Sequence, residues 1–110
     1  NKLTNIEVKY MLEKAKMAAQ ALKIQKELKR LTAEAEAGDG AVRVVAGVKI
    51  DQTSFSMELR EVKIDPERMD DADRLAKWIE SAVNQVSKKV MQEVTVKMQS
   101  IAGSMNIPGM

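Results

Sequence analysis

The sequence predicts an α+β fold in a single domain spanning residues 1–110: a long N-terminal helix, an antiparallel β-hairpin or three-stranded sheet, and a long C-terminal helix. Three observations carry that reading. Apolar residues recur at helical spacing from Leu3 to Leu31, the period drops to two from Ala41, and helical spacing returns from Ala72 to Ile101. The resulting segments are a helix over 1–37, a hairpin over 41–65, a helix over 70–102 and a tail over 103–110.

In the first segment Leu3, Tyr10, Met17, Ile24 and Leu31 stand seven residues apart, with Ile6, Ala21 and Leu28 as companions. That is one face of a long helix or one seam of a coiled coil. Thr4 and Glu7 have the spacing of a capping box, which leaves the first three residues to fray. Asn1 to Arg30 contains no Gly or Pro, and Thr32 to Ala37 still permits helix until Gly38-Asp39-Gly40 offers a glycine C-cap. A helix of about thirty residues is roughly 45 Å long, too long for the rest of so small a chain to cover. Most of it must lie against a partner or stand in solvent.

From Ala41 the apolar positions Val42, Val44, Ala46, Val48 and Ile50 alternate along a strand with one buried face, with Gly47 marking a bulge or bend. Asp51 to Ser54 is a hairpin turn, and a second strand follows with Phe55, Met57 and Leu59 on one face. The parity then shifts to Val62 and Ile64, which predicts a bulge near Arg60-Glu61 or a break into two strands. A lone hairpin is marginal in water, so this sheet is expected to pair with its copy. Asp65-Pro66 stops the strand, since Pro lacks the ladder donor, and opens a short turn through Met69.

Asp70, Asp71 and Asp73 fall where a helix N-terminus needs carboxylates; metal binding is the other reading of that triplet. The second helix carries its apolar face on Ala72, Leu75, Ile79, Ala82, Val83, Val86, Val90, Val94, Met98 and Ile101. Trp78 packs at the edge of that face, base stacking being the alternative. Gly103 to Met110 reads as a mobile tail unless it docks.

Composition narrows the function. With no histidine the usual general base and commonest metal ligand are missing, and with no cysteine there are no disulfides or thiolate sites. No phosphate-cradling glycine loop, nucleotide fingerprint or hydrolase triad occurs, so no enzyme activity, cofactor, metal or small-molecule substrate is expected. No apolar run approaches the ~18 residues of a membrane span. A cytosolic protein is expected. Only Tyr10, Phe55 and Trp78 are aromatic, and two long helices leave little chain for a compact core, so the expected state is a homodimer.

The net charge of +2 hides a partition. Residues 1–31 carry eight basic and three acidic side chains, residues 32–73 five and eleven, and residues 74–110 five and two. Two basic helices flank an acidic module. Such asymmetry hints at a polyanionic partner, although a long helix also carries charge simply to keep one face solvated.

Taken in order, these elements resemble the YbaB/EbfC family of bacterial nucleoid-associated proteins. Met11-Leu12-Glu13-Lys14-Ala15-Lys16 resembles the family's opening Leu-x-Lys-Ala-x element, and Lys26-Glu27-Leu28 its following Gln/Lys-Glu-Leu. Gly40-Ala41-Val42-Arg43-Val44 resembles its Gly-x-Val-x-Val strand, Ile64-Asp65-Pro66 its Ile-Asp-Pro stop, and Ala82-Val83-Asn84 its asparagine-bearing mid-helix. Gly103-Ser104-Met105-Asn106-Ile107-Pro108-Gly109 resembles its tail. The resemblance implies a homodimer whose strands form a central body while helices project as tweezer-like arms. It also implies low-specificity binding of double-stranded DNA, in nucleoid organisation and gene regulation.

On that reading the phosphate contacts fall to Lys14, Lys16, Lys23, Lys26, Lys29 and Arg30. Lys88, Lys89 and Lys97 come second, because their face depends on the dimer. The competing reading is a coiled-coil-like module whose heptad helix docks a protein partner. Membrane-surface binding is disfavoured, since the apolar face lacks bulky aromatics.

Overall fold

The computed structural model describes residues 4–52 and 54–105. Helix α1 spans Asn5–Lys29, strands β1, β2 and β3 span Thr32–Ala37, Val42–Asp51 and Ser54–Ile64, a 3-10 turn spans Pro66–Arg68, and helix α2 spans Ala72–Met105. The strands form one antiparallel sheet in the order β1-β2-β3. Of the two sheet forms the sequence allows, the three-stranded one is adopted.

The third strand comes from a segment expected to be helical. α1 ends at Lys29 with Arg30 as its C-cap, and Thr32–Ala37 pairs with β2 from Thr32 opposite Gly47 to Ala37 opposite Val42. Alanine and glutamate favour helix locally by only tenths of a kcal/mol per residue, and tertiary context overrides that. Here the context is burial. Ala33 and Ala35 lie under α2 while Glu34 and Glu36 face outward, and their small side chains let the helix settle close beside the equally buried Ala82. Gly38-Asp39-Gly40 is therefore a turn between strands, not a helix cap. All three residues take left-handed backbone angles, with φ of 66°, 54° and 84°.

β2 is the central strand, and Val42, Val44, Ala46 and Val48 point from it into the core as the alternation predicts. Asp51 pairs with Ser54 across the hairpin, so the reversal falls at the expected turn. The predicted bulge is also present. Val45 faces Glu61 and Ala46 faces Leu59, which leaves Arg60 as the extra residue on β3. Gly47 lies just past this shift, and the Arg60 guanidinium lies where a Cβ on Gly47 would be.

α2 covers β1 and β2 with Ala82, Val86, Val90 and Val94, four residues apart along one stripe, and Ile101 is buried further on. Ala72 and Met98, placed on this face by spacing, are exposed. Asp71 caps the helix by accepting from the Arg74 amide at 3.1 Å. Pro66 opens the short turn as expected, and Asp65 caps it. α2 continues through Met105, so residues 103–105 are helix and not tail; the rest of the expected tail, like the expected frayed residues 1–3, lies outside the described residues. Trp78 packs over the β1–β2 turn so closely that a Cβ on Gly38 would come within 2.4 Å of its ring.

The molecule extends 75 × 26 × 16 Å with a radius of gyration of 20.7 Å. A compact chain of this size would have a radius of about 13 Å. The two long helices account for the excess, and the only fully buried side chain of α1 is Leu28.

Candidate nucleic-acid interface

α1 begins with the predicted capping box, in which Glu7 N donates to Thr4 Oγ1 at 3.1 Å and Thr4 N to Glu7 Oε2 at 3.3 Å. Such a cap satisfies amides that nothing else reaches, so the helix can start in open solvent. At the other end Leu28 is buried, and Ile24 and Leu31 pack against the core. From Asn5 to Ala19 every residue is exposed. α1 is an arm anchored through its last turns.

Six lysines on this arm face three glutamates. Lys9, Lys16, Lys23 and Arg30 follow at seven-residue intervals, a row of charges ~10.5 Å apart along one flank. Lys14 and Lys29 lie on the opposite flank, and Lys26 points directly away from the docked face. Lys9, Lys16, Lys23, Lys26 and Lys29 have neither ion pair nor side-chain hydrogen bond among the described residues. Lys14 lies 5.1 Å from the centroid of the Tyr10 ring. Arg30 stands 3.9 Å from Glu27 with its side chain 77% exposed, so it is held loosely.

The other candidates separate on inspection. Lys88 is exposed on α2. Lys89 donates to the Glu34 carbonyl oxygen on β1 at 2.7 Å, and Lys97 lies 3.5 Å from Glu27, tying α2 to the base of the arm. Lys9 is a phosphate-contact candidate that the sequence reading above leaves out. Its signal is present there all the same, since it continues the spacing of Lys16, Lys23 and Arg30.

The sheet and the α2 N-terminus treat their cations differently. Arg43 is paired with Glu34, whose hydrogen bond and charge push its guanidinium pKa further up. Arg60 donates to the Val48 carbonyl at 3.3 Å, and Lys63 lies 3.3 Å from Glu61. Arg68 donates to the Gly38 and Asp39 carbonyls, each at 2.8 Å, and also meets Asp65. Arg74 lies 3.8 Å from Asp71 and 5.8 Å from the Trp78 ring. These charges hold turns and strands together.

β3 presents a second open surface. Phe55, Leu59 and Val62 pair with Ile50, Ala46 and Val44, which places them on the core face of the sheet. Yet they are 50%, 41% and 45% exposed, because α2 covers only β1 and β2. No helix among the described residues is long and apolar enough to cross a membrane.

The profile of the YbaB/EbfC DNA-binding family matches residues 5–105. A nucleoid-associated protein of Pelotomaculum thermopropionicum is 35% identical, over 93% of this chain and 92% of its own length. One from Moorella thermoacetica is 37% identical over 92% of each. One from Acetivibrio thermocellus is 38% identical over 86% of this chain and 80% of its own length. The fold matches the crystal structure of an uncharacterized Helicobacter pylori protein with a TM-score of 0.61 at 18% identity, covering 96% of this chain and all of that one.

Proposed function

The chain belongs to the YbaB/EbfC DNA-binding family, and from that premise we propose that it binds duplex DNA with low sequence specificity through the cations of α1. The observation that carries this is the row of exposed lysines, unpaired among the described residues, on a projecting arm beside a body whose own cations are mostly engaged. Phosphate contacts fall to Lys14, Lys16, Lys23, Lys26, Lys29 and Arg30, joined by Lys9 and Lys88. Lys89 and Lys97 follow once their internal partners are exchanged for phosphate. The role is architectural and regulatory, with no catalysis and no small-molecule substrate, and its place is the nucleoid in the cytoplasm.

The binding unit in this proposal is a homodimer. Phe55, Leu59 and Val62 form an apolar strip on an edge strand, a surface that a second copy would remove from water. Two arms then grip one duplex. Solution mass tests this directly: the chain should run as a dimer and Leu59→Asp as a monomer, and a monomeric parent chain would refute it.

Salt-titrated binding to several unrelated duplexes tests the DNA interaction. If a dimer neutralises about six phosphates, log affinity falls with log salt at a slope near −5. A salt-independent affinity, or binding confined to one sequence, would overturn the mechanism.

A further inference from the structure

α1 is apolar on two sides, and only one side has a use in the fold. At about 100° per residue, Ile24 and Leu28 face the core, whereas Val8, Met11, Leu12, Ala15, Ala19 and Leu22 fall on the side facing away. Val8, Met11, Leu12 and Leu22 are between 41% and 59% exposed. No side chain of this outward sector from Val8 to Leu22 carries a hydrogen-bonding group. Cations flank it on both sides: Lys9, Lys16, Lys23 and Arg30 along one, Lys14 and Lys29 along the other. Two of the three acids on the helix are engaged, Glu7 in the helix cap and Glu27 with Lys97 and Arg30, which leaves Glu13 alone beside six lysines and Arg30.

Charge decides what can cover this sector. A second copy of the arm packed on it antiparallel would set the lysine row against itself. Packed parallel, it would set that row against Lys14 and Lys29. A polyanion meets the opposite sign on both flanks. An α-helix is ~10–12 Å across with its side chains, which matches a major groove about 12 Å wide and exceeds a minor groove of about 6 Å. The edge available to apolar side chains in the major groove is the thymine C5-methyl. Single-stranded DNA does not fit, because the sector has no aromatic residue to stack on.

We propose that the outward sector of α1 enters the major groove and reads thymine methyl groups by apolar contact, with the flanking cations on the phosphates of both walls. This rests on the DNA-binding reading above and adds the groove and the base chemistry. It predicts a preference for A·T-rich composition rather than for a site.

The test compares two duplexes of one A·T-rich sequence, the first with thymine and the second with deoxyuridine, which lacks the methyl. The full chain should bind the deoxyuridine duplex more weakly, by about fourfold for each methyl that is fully buried. The double variant Leu12→Ala, Leu22→Ala should lose that discrimination while keeping its helical circular dichroism and its salt slope. Equal affinity for the two duplexes, with salt-dependent binding intact, overturns the groove inference and leaves DNA binding standing. No salt-dependent binding to either duplex overturns both. A fall in solution mass for Leu12→Ser, Leu22→Ser would assign the sector to a second copy and overturn the inference as well.

Discussion

The arm and the body of this protein use similar side chains to opposite ends. In the body Arg43, Arg60, Lys63, Arg68 and Arg74 each meet a carboxylate, a carbonyl or a ring of the same chain. On the arm most lysines meet nothing among the described residues. Apolar residues divide the same way: Val42, Val44 and Val86 are fully buried, while Ile6, Tyr10 and Met17 are left in solvent. A surface that is satisfied within its own chain stabilises the fold. One left unsatisfied is available to a partner, and the partner's chemistry can be read from what is left over.

Variants on the two sides should separate stability from binding. The largest effect is expected from Val44→Asp, which puts a charge at a fully buried position of the central strand. It should cost more than about 4 kcal/mol and abolish the cooperative thermal transition. On the arm, Met17→Asp should change stability by less than ~0.5 kcal/mol. Comparable losses at the two positions would break the distinction.

Gly38→Ala should come next. Its Cβ would come within 2.4 Å of the Trp78 ring at a φ of +66°. Strain in that backbone region alone costs about 1–3 kcal/mol, so chemical denaturation should show a loss at the upper end. Gly40→Ala, with φ +84° and open space around it, should show only the backbone part of that loss. Equal losses would mean that crowding against Trp78 contributes nothing.

Replacing Lys16, Lys23 and Arg30 together by Ala should leave the thermal midpoint nearly unchanged. It should flatten the salt dependence of DNA binding by roughly 0.9 for each phosphate no longer neutralised, alike for all sequences. Weakening confined to one duplex would point instead to base readout by these cations.

The smallest effect is expected at the hinge between the two regions. Glu27 is the partner of both Lys97 and Arg30. Glu27→Gln should lower stability by no more than about 1 kcal/mol, because such partly exposed pairs are weak. It should also strengthen DNA binding at low salt by releasing two cations. Unchanged or weaker binding would mean that neither cation reaches the duplex.

Much of this is legible along the chain. The alternation from Val42 to Val48, the Thr4–Glu7 box and the Pro66 turn are short-range patterns with one physical meaning each, whereas the parity shift near Arg60-Glu61 allows a bulge or a break, and the strand pairing selects the bulge. Thr32–Ala37 is not legible, because an alternation of Ala and Glu satisfies a helix as well as a strand. The partners of Lys89 and Lys97 are hidden too: Glu34 and Glu27 lie far away in sequence. Lys9 shows its seven-residue spacing in the sequence, but spacing alone does not tell a free lysine from a paired one.

By itself the sequence determined the α+β order, the overlong basic first helix, the position of the hairpin turn and the absence of histidine and cysteine chemistry. These are matters of period, composition and local backbone preference, which act over a few residues. Only the tertiary structure decided that β1 is a strand, that β3 keeps an uncovered apolar strip, and which cations remain free. Those outcomes depend on which surfaces meet. A side chain's burial or pairing is a property of distant neighbours brought together by packing, and no local pattern carries it.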